Sequence, residues 1–242
     1  MVMGFKAEVM TMDAVEYIAL FQDDFFDLII LDPDYQDWKQ LIDRGLLKEC
    51  LRVLKKEGNI LCFTKQPFDY DLRNACNKNF RREIVWTFEN GGAWCSPKMP
   101  LISSQKIYWL TKSKDCFFNP RTGMPYSENT KNFKRSTKVF GDYETEGRQF
   151  EKSEEGVWLR DHLHFNKPRS GKIPAKPEEL MRVLIKCFCN PCGNVLDPFL
   201  GSGSTIKVCE GTDLNIYGCD IVKERTEKIK SIVIKGVDLN AK

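Results

Sequence analysis

Hydrophobic positions alternate along this chain between short apolar runs and stretches with helical spacing. Phe25 to Leu31 is apolar apart from Asp27 and stops at Asp32-Pro33, which predicts a parallel strand buried on both faces and ending in a functional loop. Ahead of it, Asp13 to Phe21 spaces its apolar residues as a helix does behind an N-capping Asp, and Lys6 to Met12 predicts the strand before that. These elements make a β-α-β unit. The pattern then repeats, with an amphipathic helix over Trp38 to Lys55, a break at Glu57-Gly58, a strand over Asn59 to Phe63 and a helix near Asp69 to Lys78. Strands are predicted over Glu83 to Thr87 and Lys106 to Thr111.

From Lys112 to Lys172 neither period is sustained, and polar residues, Gly, Pro and Ser predominate, so this stretch reads as an inserted module or loops. Regular patterning resumes with a helix over Glu178 to Cys187 and a strand over Asn194 to Leu196. A glycine-rich loop, a helix to about Glu210 and a strand over Ile216 to Gly218 follow. The fold expected from this alternation is α/β.

Composition narrows the picture only a little. With 242 residues, 42% apolar, 16 Gly and 11 Pro, the chain is an ordinary globular one, and its longest apolar run is far short of the roughly 20 residues a membrane span needs. No secretory signal pattern is visible before Met10, which predicts a cytoplasmic protein with reduced cysteines. Among the 10 cysteines, Cys187, Cys189 and Cys192 form C-x-C-x-x-C. A zinc site there would need His162, His164 or a distant cysteine as fourth ligand, and the alternative is a helix end followed by a turn at Pro191 and Gly193. Net charge is only +3, but it is unevenly placed: Lys98 to Lys138 holds 9 basic and 2 acidic residues interleaved with Phe117, Phe118, Tyr126 and Phe133. Such a mixture suits a polyanion.

Two loops carry the chemistry. Asp197-Pro198-Phe199-Leu200-Gly201-Ser202-Gly203-Ser204-Thr205 joins a strand to a helix, its glycines permitting close backbone approach to a ligand, and Asp220 ends the next strand where a carboxylate can accept from two ribose hydroxyls. A nucleoside cofactor is expected there; without Gly-Lys-Ser/Thr, the loop is not a phosphate-binding one. The second loop is Asp32-Pro33-Asp34-Tyr35.

The tetrad resembles the Asp/Asn-Pro-Pro-Tyr motif of amino-methylating S-adenosylmethionine methyltransferases, and Asp197 to Thr205 resembles the cofactor motif of the same family. Lys176-Pro177-Glu178-Glu179-Leu180 is similar to its Lys-Pro-Glu-x-Leu helix start, and Met12-Asp13-Ala14 to its Gly-Asp-Ala. The catalytic motif precedes the cofactor motif by 165 residues, the permuted order of the β class of DNA adenine-N6 and cytosine-N4 methyltransferases. The resemblance implies a seven-stranded doubly wound sheet built from residues 1–111 and 173–242, with 112–172 as a target-recognition insertion. It implies S-adenosylmethionine as cofactor, double-stranded DNA as substrate and a homodimer.

For site residues, the resemblance implies that Asp32 and Pro33 accept the hydrogens of the target amine and that Tyr35 stacks on a flipped base. Asp197, Phe199, Gly201, Gly203 and Thr205 would line the methionine end of the cofactor, with Asp220 on its ribose and Asp13 on its adenine, and Lys176 and Ser202 would also belong to the cofactor site. Asp32, rather than Ser, points to adenine-N6 over cytosine-N4. Asp34 stands where the family has a second proline, and in a rival reading it marks a homologue that binds without turnover. RNA and protein-glutamine methyltransferases with similar tetrads are further rivals; the basic insertion favours nucleic acid.

Overall fold

The computed structural model describes residues 6–89, 100–128, 133–134, 149–150, 152–168 and 175–238. The first β-α-β unit forms as its pattern requires: β1 (Lys6–Thr11), α1 (Ala14–Ala19) and β2 (Phe26–Leu31), the last buried at every position. The Asp13 carboxylate accepts from Val15 N at 2.9 Å and Glu16 N at 3.3 Å, which caps α1.

The single helix expected over Trp38 to Lys55 is instead two, α2 (Trp38–Asp43) and α3 (Leu46–Val53), after a short 3-10 turn at Tyr35–Asp37. Gly45 separates them at φ 87°, a left-handed conformation open to glycine at little cost. The following strand, β3 (Leu54–Thr64), starts earlier than expected and runs through Glu57-Gly58, where its register against β2 shifts. Then come α4 (Asp69–Ala75), β4 (Phe80–Thr87) and β5 (Ser104–Thr111).

Two-residue strands β6 (Phe133–Lys134) and β7 (Gln149–Phe150) pair with each other in a separate sheet, and β8 (His162–His164) joins the main sheet. The chain continues through α5 (Glu178–Phe188), β9 (Asn194–Asp197), α6 (Ser204–Cys209), β10 (Asn215–Asp220) and α7 (Lys223–Asp238).

The main sheet has eight strands, not seven, in the order β1-β10-β9-β2-β3-β5-β4-β8. Its pairs are parallel except where β5 runs against β3 and β4. The eighth strand comes from the segment expected as an insertion, and that segment is also tied to the core: buried Asn59 donates to Phe117 O at 2.8 Å and Phe188 O at 2.7 Å, and accepts from Trp109 Nε1 at 2.7 Å. Each amide hydrogen and the carbonyl thus has a partner, which offsets the cost of burying them.

Side chains of β2 divide between two cores. Leu28 and Ile30 pack with β3, β4 and α5, whereas Ile29 and Leu31 pack with α1, α2 and α3. Cys187 and Cys189 are buried at the end of α5, and Cys192 is exposed at φ 58°. Among the described residues no helix is long and apolar enough to cross a membrane.

Candidate active site

Connections leave β9 toward β10 on one side and β2 toward β3 on the other, so the strand order reverses between β9 and β2. At such a switch the loops beyond the carboxyl ends of the strands diverge and leave a crevice. A cleft of about 770 Å³ lies there, and four carboxylates reach it from the ends of four neighbouring strands: Asp13 after β1, Asp220 on β10, Asp197 on β9 and Asp32 after β2. Pro33, Asp34, Tyr35, Lys176, Phe199, Gly201, Ser202 and Thr205 also line it, so the structure brings together all of the expected site residues but one.

The exception is Gly203. It is the N-cap of α6 at φ 80°, and a Cβ there would stand 3.0 Å from Ile229 Cγ1 on α7. Its lack of a side chain leaves room for Ile229.

On the β9 side, Asp197 accepts from Phe199 N at 3.0 Å and Thr205 Oγ1 at 2.5 Å. Burial pushes its carboxyl up to about 6, against the pull of those two hydrogen bonds. Asp220 accepts from Gly201 N and Val222 N, each at 2.9 Å, and Arg225 of α7 stands 3.3 and 3.4 Å from its two oxygens. The two backbone bonds leave a lone pair on each oxygen, and the long Arg225 contacts compete only weakly for it.

Beside Asp220, the Ile221 side chain is 73% exposed to the cleft, an apolar flank suited to a planar ring. A carboxylate with spare lone pairs beside an apolar wall suits a ligand that carries hydroxyls next to a planar ring. Asp13 is more committed, because Arg44 donates to its two oxygens at 2.9 and 2.7 Å in addition to the helix cap. That hydrogen bonding, chiefly, holds its carboxyl below the usual range.

On the β2 side the tetrad is wound into the turn that opens the 3-10 helix. Lys176 donates to Asp32 Oδ2, and the Tyr35 hydroxyl lies 3.3 Å from Asp32 Oδ1 and 2.9 Å from Gln105 Oε1 on β5. Burial, then the negative charge of Asp32, raises the Tyr35 phenol well above its ordinary range, so it is a neutral donor. Lys176, expected among the cofactor-binding residues, is thus ion-paired to the tetrad, and its ammonium lies 4.7 Å from the Phe63 ring centroid. Asp34 is exposed, with φ −57° and ψ 122°.

Sequence reading missed Arg44, Lys65, Gln105, Lys167, Ile221 and Arg225, all of which line the cleft. Only Ile221 had a local signal, as the apolar residue directly after the acid that ends β10.

A family model for DNA methylases of the N6/N4 type matches residues 26–231. The DNA adenine methyltransferase YhdJ of Escherichia coli is 27% identical over 221 residues, covering 82% of this chain and 72% of its own. Among solved structures, the M1.HpyAVI–SAM complex superposes with a TM-score of 0.62 at 21% identity, covering 93% of this chain and 98% of that one. The cytosine-N4-specific PvuII DNA methyltransferase superposes with a TM-score of 0.67 at 12% identity, covering 97% and 94%. At these identities the superpositions establish the fold.

Proposed function

This chain belongs to the N6/N4 DNA methylase family, and from that premise we propose that it transfers a methyl group from S-adenosylmethionine to the exocyclic N6 of adenine in double-stranded DNA. The observation that carries the reading is the opposition, across one cleft, of the Asp32 to Tyr35 tetrad on β2 and the Asp197 and Asp220 carboxylates on β9 and β10.

When bound, S-adenosylmethionine supplies an electrophilic methyl on a sulfonium sulfur. Asp220 would hold the ribose hydroxyls, Ile221 would flank the purine, and ionised Asp197 would serve the amino group of the methionine end. The adenine amine is a poor nucleophile because its lone pair is delocalised into the ring. With its two hydrogens held by the Asp32 carboxylate and the Pro33 carbonyl, the nitrogen is favoured as a pyramid whose lone pair points at the methyl. Asp32 would hold the proton that the amine gives up on transfer, with Lys176 balancing its charge. Tyr35 offers its ring to the flipped base, replacing part of the stacking lost on extrusion.

Adenine is favoured over cytosine by Asp at position 32 and by the similarity to YhdJ, a DNA adenine methyltransferase. Segment 112–172 is assigned to reading the DNA sequence, because its basic residues are interleaved with aromatics. The test is mass spectrometry of nucleosides from a host expressing wild type or Asp32→Ala. N6-methyladenine that is absent with Asp32→Ala is expected. N4-methylcytosine would correct the base, and no methylated nucleoside would support a homologue that binds without turnover.

A further inference from the structure

Three lysines from separate stretches of chain meet in the half of the cleft away from the glycine loop. Lys65 follows the last residue of β3, Lys167 lies just after β8, and Lys176 precedes α5. Lys65 Nζ is 5.7 Å and Lys176 Nζ 6.0 Å from the centroid of the Tyr35 ring, and Lys167 Nζ is 3.8 Å from that of Phe88. Burial, then the charges of Lys176 and Lys65, holds the Lys167 ammonium below its usual range. Like charges gathered over aromatic rings favour an anion among them.

Lys176 has its counter-charge in Asp32, whereas Lys65 makes no ion pair among the described residues. The side of the cleft matters. β3 and β8 lie beyond β2 in the sheet order, on the target side of the tetrad, while Asp197 and Asp220 lie on the other. A nucleotide turned out of a duplex carries its flanking phosphates to the rim of the pocket that takes its base. Lys65, over the Tyr35 ring, and Lys167, over the Phe88 ring, line the cleft on that target side.

We propose that Lys65 and Lys167 grip the phosphodiester that flanks the target nucleotide, so that the strand's own backbone delivers the base to Asp32 and Tyr35. This rests on the DNA methylase reading above, and it adds the anchor that fixes the flipped nucleotide. These contacts carry no sequence information; they set register and position.

The experiment uses a duplex containing the sequence methylated in an expressing host, identified by sequencing that host's DNA. Binding is measured for wild type and for Lys65→Gln/Lys167→Gln as salt is raised from about 50 to 200 mM, a range over which one phosphate contact changes affinity by about 3.5-fold. The wild-type affinity should therefore fall about 3.5-fold further than that of the double variant, while both bind S-adenosylhomocysteine equally. Lys65→Arg/Lys167→Arg should keep the wild-type slope.

A duplex with an uncharged methylphosphonate at either phosphate flanking the target should weaken wild type at one of the two positions and leave the glutamine variant indifferent. An unchanged slope in a folded, DNA-binding glutamine variant overturns the clamp, as does equal sensitivity of both proteins to the methylphosphonates. If wild type neither binds nor methylates duplex DNA, the clamp falls together with the DNA reading, an outcome distinct from an unchanged slope.

Discussion

Replacing Asp34 by proline should make this protein a faster methyltransferase. Proline fixes φ near −65° and removes the backbone N–H, and both conditions are already met: Asp34 has φ −57°, and among the described residues its N–H makes no hydrogen bond. The only backbone bond at this position uses its carbonyl, which accepts from Asp37 N at 2.9 Å and which proline keeps. A substitution that the native backbone tolerates stabilises by about 0.4–1 kcal/mol through the unfolded chain.

The second effect is electrostatic. Asp34 is an exposed member of the tetrad, where on the proposed function a phosphodiester strand would pass. Taking about 8 Å to a phosphate, one pair of like charges costs about 0.5 kcal/mol in water before screening, and two or three phosphates contribute. Screening leaves a total near 1 kcal/mol at 0.01 M salt and about half that at 0.1 M, because the Debye length shortens from about 30 to 10 Å. The gain in kcat/KM should therefore be about fivefold at the lower salt and twofold at the higher.

The assay is steady-state methyl transfer to duplex DNA at both ionic strengths, with folding checked by thermal melting and cofactor affinity by calorimetry. A slower Asp34→Pro enzyme with unaltered cofactor affinity would refute the reasoning and make Asp34 a working acceptor in the site. A gain that ignores salt would leave the preorganisation argument standing and remove the electrostatic one.

Asp220→Ala should weaken S-adenosylmethionine binding by roughly 1–3 kcal/mol by calorimetry, and a folded variant with wild-type affinity would remove the ribose assignment. Asp197 gives a pH dependence with opposite signs for folding and binding. Its folded value near 6 exceeds the unfolded 3.8, so its contribution to stability is present below pH 3.8 and is lost as pH rises through 6, about 3 kcal/mol in all. If, as proposed, the ionised form serves the methionine ammonium, affinity should drop roughly tenfold from pH 7.5 to pH 5; a flat profile would detach Asp197 from that group. Gly203→Ala combines a positive φ with a Cβ 3.0 Å from Ile229 and should cost about 1–3 kcal/mol in denaturant unfolding. An unchanged midpoint there would mean that α7 yields freely.

What the chain reveals locally and what it conceals divide along a physical line. β2 was legible because a strand covered on both faces must be apolar almost throughout, and Asp32 and Asp197 were legible because each ends its own strand. The break at Gly45 was hidden inside a run whose apolar spacing stays helical on both sides of it, since a left-handed residue reverses the chain without altering the pattern of burial. Gln105 and Lys167 owe their places to long-range pairing: β5 returns antiparallel to β3, and three residues of β8 with exposed histidines on either side of Leu163 close the sheet edge. Nothing in so short and polar a strand distinguishes it from a loop. Lys176 shows the same limit from the other direction, because the motif around it was recognised while its partner was not. A side chain as long as lysine's chooses among carboxylates from several strands, and here the ion pair formed with Asp32 across the switch point. The tetrad and the glycine loop were accordingly readable from adjacent residues, whereas the side chains brought to them from β5 and from the segments after β3 and β8 became readable only once the strand order was known.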